Sequence, residues 1–104
     1  MRADIEEKRE AFAALCRRYG VRRLEVFGSA ARGTDFDPDR SDADFLVTFT
    51  PAARNDLAAF TELKDALESL LGRSVDLVER EAIEKSRNYI RRRAILRDAE
   101  TIYG

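Results

Sequence analysis

Asp42 and Asp44 stand one residue apart at the head of the apolar run ADFLVTF, and Asp76 stands inside a second such run, SVDLVE. Side chains alternate along a strand, so Asp42 and Asp44 point the same way, roughly 7 Å apart along the backbone. Burying an unpaired carboxylate costs several kcal/mol or forces it to take up a proton. A bound cation offsets that cost. Three carboxylates without histidine or thiolate make a hard, oxygen-only set that suits Mg²⁺ or Mn²⁺ rather than zinc. Two such ions sit about 3.5–4 Å apart in two-metal sites, a span that paired carboxylates can bracket. Taken alone, the pair has a plainer reading, in which Asp42 caps a turn and Asp44 faces water on an edge strand. Asp35, Asp37 and Asp39 also alternate, but Arg40 and Leu46 stand where a calcium-binding EF-hand needs Gly and Glu.

Upstream, Gly28 and Ser29 follow the apolar segment RRLEVF. Backbone N–H groups at a strand-to-helix junction can cradle a phosphate, and glycine permits close approach. A simple turn has the same local signature. Gly28 and Gly33 are spaced as in a P-loop, yet Thr34 and Asp35 follow where Lys-Ser/Thr is required. Arg32 could neutralise phosphate or pair with an acid of the loop. Ser41 could bind phosphate or cap the loop. Followed by the Asp-x-Asp on the next strand, Gly-Ser becomes a phosphate cradle facing a metal site.

The elements that must position these residues are legible as patterns. Residues 3–19 place Ile5, Phe12, Leu15, Cys16 and Tyr19 at helical spacing, ending at Gly20. Residues 22–27 and 43–49 read as strands, joined by a long polar loop. Residues 56–71 carry Leu57, Phe60, Leu63, Leu67, Leu70 and Leu71 on a helical stripe, with Gly72 past the end. Residues 74–79 form a third strand, and residues 85–103 a last helix. The expectation is one α/β (α+β) domain over 1–104, with a three-stranded mixed sheet and the order α-β-(turn)-β-α-β-α. The strand–helix–strand link from 43 to 79 is a parallel crossover.

Composition narrows the chemistry. The chain of 104 residues has no histidine and one cysteine, which rules out histidine general bases, histidine-containing zinc sites and an internal disulfide. Charged residues are 38%, but the net charge is −1, so no global field favours DNA or a membrane surface. No signal peptide or apolar run of membrane-spanning length is expected, which points to the cytoplasm.

Together, FGSAARG, SDADFLV and SVDLVE resemble the motifs of the DNA polymerase beta-like nucleotidyltransferase superfamily. The match is closest to its minimal nucleotidyltransferase (MNT) branch, known from HEPN–MNT toxin–antitoxin systems. NYIRRRAILRDAETIY resembles the family's closing helix. The resemblance covers roughly residues 20–104. It implies that Gly28 and Ser29 hold the triphosphate of ATP. It also implies that Asp42, Asp44 and Asp76 bind the metal ions, and that Asp76 orients or deprotonates the attacking hydroxyl. Twelve residues separate Ser29 from Asp42, where the family has about ten, and Asn88 lacks the usual following proline. The resemblance implies an antitoxin encoded beside a HEPN-domain toxin, which transfers AMP from ATP to a tyrosine of that toxin. This chain, lacking histidine, cannot be the HEPN partner. Two alternatives are a small-molecule transferase of the aminoglycoside-modifying kind and a degenerate module that blocks a toxin sterically. Oligomers with itself or with a partner are both compatible with the sequence. The arginines 87, 91, 92, 93 and 97 read either as a solvated helix face or as a partner surface.

Overall fold

The computed structural model describes residues 3–28 and 43–104. The first segment is two helices, α1 (Ala3–Glu7) and α2 (Arg9–Arg18). A single helix over 3–19 was the sequence expectation. The chain instead turns at Lys8, whose N–H donates to Ile5 O at 3.1 Å while its own carbonyl accepts from Phe12 N at 2.9 Å. Ile5, Phe12 and Cys16 still reach one core. Burial pushes the Cys16 thiol up to about 12, slightly offset by Arg17, so it stays a neutral core group at physiological pH.

Strand β1 (Val21–Phe27) pairs antiparallel with β2 (Ala43–Phe49), and β2 pairs parallel with β3 (Val75–Glu79). Helix α3 (Leu57–Leu71) makes the crossover between β2 and β3. Its ends are fixed locally. Asp56 accepts from Ala59 N at 3.0 Å, and Gly72 closes the helix in the left-handed region at φ +67°. The parallel crossover expected from the sequence is thus present, within a residue of its expected bounds.

After β3 the chain forms a short helix α4 (Arg80–Glu84), then α5 (Tyr89–Asp98), then strand β4 (Glu100–Tyr103). The sheet has four strands in the order β3-β2-β1-β4. The expected helix over 85–103 is therefore corrected at both ends. Asn88 accepts from Arg91 N at 3.1 Å and starts α5 without the proline. Ala99 turns extended, at ψ 130°, and Thr101, Ile102 and Tyr103 are strand formers that pair with the otherwise open edge of β1.

Strand alternation gives the sheet two faces. One carries Leu24, Val26, Phe45, Val47 and Leu77 into the main core beneath α2 and α3. The other carries Phe27 and Leu46 into a smaller cluster with Ile83 of α4 and Ile95 of α5. Glu25 lies on this second face, buried to 2% exposure. Arg80 Nη1 donates to both its carboxylate oxygens, at 2.7 and 2.6 Å. That contact ties α4 to β1, and the hydrogen bond to Glu25 raises the Arg80 pKa still further. Replacing Arg80 by Ala removes the two short hydrogen bonds and leaves the buried Glu25 carboxylate with only the longer ion pair to Arg23, at 3.6 Å, among the described residues. It should cost about 3 kcal/mol in urea unfolding, most of it recovered when Glu25 is also made apolar. Ile102 is 6% exposed in the main core. Ile102→Ala should cost about 2–5 kcal/mol by the same measurement, whereas a solvent-facing helical position would lose almost nothing.

Candidate active site

The second residue of β2 is Asp44 and the second residue of β3 is Asp76, and the two are direct partners in the parallel register. Neighbouring strands lie about 4.8 Å apart, and residues in register project from the same face. Two carboxylates are therefore held side by side. On its other flank Asp44 is paired with Phe27 of β1. It is half-buried, while Asp76 is exposed. Phe27 limits water on one side of the pair, and solvent reaches the other.

Gly28 follows β1 in the left-handed region at φ +70°, and a β-carbon built there would lie 2.9 Å from Asp44 Oδ2. Two constraints thus select glycine at this position. A side chain would be strained by the backbone, and it would displace the carboxylate. The structure brings Gly28, Asp44 and Asp76 to one end of one sheet face. Asp42, Ser29, Arg32 and Ser41 lie outside the described residues.

The donor set suits a hard divalent cation. Asp44 and Asp76 supply oxygen only, in register and on a shared face, where their like charges repel unless a cation lies between them. Among the described residues no group of three or more acidic, cysteine or histidine side chains converges. The site as described is a carboxylate pair. A cavity of about 420 Å³ lined by Arg22, Thr48, Arg54, Glu79 and Lys85 sits at the far end of β2 and β3, away from Asp44.

Sequence reasoning passed over Glu25 and Arg80, which brace the same face from beneath. A signal was present. Glu25 stands between Leu24 and Val26 in RRLEVF, on the strand face it shares with the apolar Phe27, and Arg80 is the residue that follows VDLVE.

A family model for the nucleotidyltransferase domain matches residues 8–97. The chain belongs to this family. Among curated proteins it is similar to the protein adenylyltransferase MntA of Thermococcus cleftensis, with 43% identity over 67 residues. That match covers 64% of this chain and 64% of the relative, so the chain spans just under two thirds of the relative's length. Among solved structures it is similar to one assigned as a minimal nucleotidyltransferase, with a TM-score of 0.71 and 38% identity over 92% of this chain and 90% of that one. It also resembles a chain from the complex of a tri-AMPylated Shewanella oneidensis HEPN toxin with MNT antitoxin, at a TM-score of 0.62 and 20% identity, covering 96% and 72%. At that identity the likeness is one of fold. The minimal nucleotidyltransferase fold expected from the motifs is the observed one, with β4 as a fourth strand.

Among the described residues no helix is long and apolar enough to cross a membrane.

Gly28→Ala should destabilise the protein by about 1–2 kcal/mol from its left-handed backbone alone. By crowding Asp44 it should also abolish most of the thermal shift that Mn²⁺ produces in wild type. An unchanged Mn²⁺ response, read by calorimetry, would mean that the carboxylate pair is not the cation site.

Proposed function

We propose that this chain is a Mg²⁺-dependent nucleotidyltransferase that moves AMP from ATP onto a tyrosine hydroxyl of a HEPN-type toxin, and so acts as its antitoxin. The observation that carries the reading is the in-register pair of Asp44 and Asp76, closed on one side by the side-chain-free surface of Gly28. The family supports the reaction class. The relative's adenylyltransferase name and the neighbour's AMPylated toxin support the group transferred and the acceptor.

In this reading Asp42, Asp44 and Asp76 hold the metal, and Gly28 and Ser29 hold the triphosphate, with Arg32 and Ser41 supporting it. A bound Mg²⁺ or Mn²⁺ supplies charge neutralisation on the phosphates and lowers the pKa of the attacking hydroxyl. The chain's own residues do the rest. Gly28 lets the phosphates approach the backbone beside Asp44. Phe27 keeps water from one flank of Asp44, which strengthens the local electrostatics. The acceptor oxygen bonds to the α-phosphorus of ATP. The bond from that phosphorus to the oxygen bridging to the β-phosphate breaks, and pyrophosphate leaves with the electron pair. The phenolic proton passes to Asp76, the exposed member of the pair and the one an incoming group can reach.

Co-expression with a HEPN-type partner followed by intact-mass measurement tests the reading. The partner should gain about 329 Da per transfer, the mass of one adenylyl group. The gain should disappear with Asp44→Asn and with chelation of the metal. If the partner binds yet stays unmodified with ATP and Mg²⁺ while small hydroxylated acceptors are labelled readily, the small-molecule transferase is the correct function.

A further inference from the structure

Among the described residues, helix α5 has an outer face that no other element buries. Ile95 is its one buried residue. Tyr89 is 59% exposed and Ile90 70%, although both are large and apolar enough to belong in a core. At 3.6 residues per turn, Tyr89, Arg93, Arg97 and Ile90 fall within an arc of about 100° on the side away from Ile95. The stripe is firmly mounted. Asn88 caps the helix through Arg91 N, and Arg92 donates to Ser86 O at 2.9 Å. Among the described residues Arg97 reaches only its own neighbour, Asp98, at 3.4 Å, and it keeps 76% of its side chain exposed.

The position of the stripe matters as much as its composition. Ile95 packs with Phe27 and Leu46, so α5 lies on the sheet face that carries Asp44 and Asp76. The helix leads into β4, where Glu100 is opposite Val26. Val26 precedes Phe27, the partner of Asp44. The Arg97 end of the stripe is therefore the end nearest the carboxylate pair, with Tyr89 about 12 Å further back along the helix.

We propose that this stripe is the docking ridge for the acceptor protein, which meets it with an acidic helix. Carboxylates one turn apart on that helix pair with Arg93 and Arg97, and an apolar cleft beside them takes Tyr89 and Ile90. The inference rests on the protein-transferase reading above and adds the surface by which the acceptor is chosen. Exposed tyrosine and arginine beside an aliphatic anchor is the composition of a protein interface core. A nucleic acid would use the arginines and the tyrosine ring but gives Ile90 nothing to do.

The test uses the full chain, with Ile90→Ser, Arg93→Glu and Arg97→Ala combined, against the co-expressed HEPN-type protein. All three sites are exposed, so the fold tolerates the changes. The Kd for that protein should rise at least about a hundredfold. KM for the protein acceptor should rise with kcat nearly unchanged, and the thermal shift with ATP and Mg²⁺ should stay at the wild-type value. Wild-type binding and modification by the triple variant overturns the ridge and leaves the transferase reading intact. Loss of the nucleotide-dependent thermal shift in the variant also overturns it, because the stripe is then part of the catalytic fold. A wild-type chain that neither binds nor modifies the HEPN-type protein overturns the transferase reading, and the ridge with it. Salt-sensitive binding of a 20-nucleotide RNA that survives Ile90→Ala but not Arg93→Glu assigns the ridge to nucleic acid instead.

Discussion

Two carboxylates held side by side on adjacent strands repel each other, and this fold is arranged to keep them there. The register between β2 and β3 sets Asp44 against Asp76, and the same strand β2 sets Asp44 against Phe27 on its other side. Neither aspartate can relax by sliding, because a one-residue slip would turn Phe45 and Val47 out of the main core. The hydrophobic face beneath α2 and α3 thus maintains an electrostatic arrangement on the opposite face. In the proposed reading, a cation bound between the two carboxylates would offset their repulsion and stabilise the folded chain.

The second face has its own means of staying rigid. It is thinly covered, with Phe27, Leu46, Ile83 and Ile95 as its buried cluster. Glu25 and Arg80 supply what that small cluster lacks. A buried ion pair is a weak source of net stability, but it fixes geometry, because misplacing either partner strands a charge in a low-dielectric setting. Here it locks α4 onto β1 two residues from Phe27. The carboxylate pair is consequently framed by elements held from both sides of the sheet.

Much of this was legible in the sequence, for physical reasons that differ between elements. The strand ADFLVTF has the expected bounds because Pro51 stops it and every second residue is needed in the core. Helix α3 was legible from its leucine stripe and from Gly72 past its end, whereas the Asp56 cap is seen only in the structure. The crossover makes β2 and β3 parallel neighbours, so Asp76 on the same face as Asp44 was legible, but the register that pairs them is set by the core and is seen only in the structure. The strand β4 was not legible, because ETIY is short and continues a helical pattern of apolar residues. What converts it is the open edge of β1, a tertiary demand invisible in local spacing. The split at Lys8 has no clear local signal either. Glu25 was overlooked because a charge in a strand usually marks a solvent-facing position. Its partner Arg80 is 55 residues away.

The charge layout of the second face has a consequence for anything that approaches it. The aspartate pair is negative, and the exposed arginines of α5 are positive, on the same face of the same sheet. With a net charge of −1 the molecule exerts almost no steering field at long range. Within a Debye length of about 8 Å, however, the two patches act separately. A macromolecule bearing carboxylates is drawn to α5 and repelled from the aspartates, so it meets the face in one orientation. Phosphates are repelled from the aspartates too, unless a divalent cation arrives with them. The same arrangement of charges disfavours an acidic protein surface at the carboxylate pair, and in the proposed reading it would favour a nucleotide that arrives as its metal complex. Specificity at this face begins with where the charges sit.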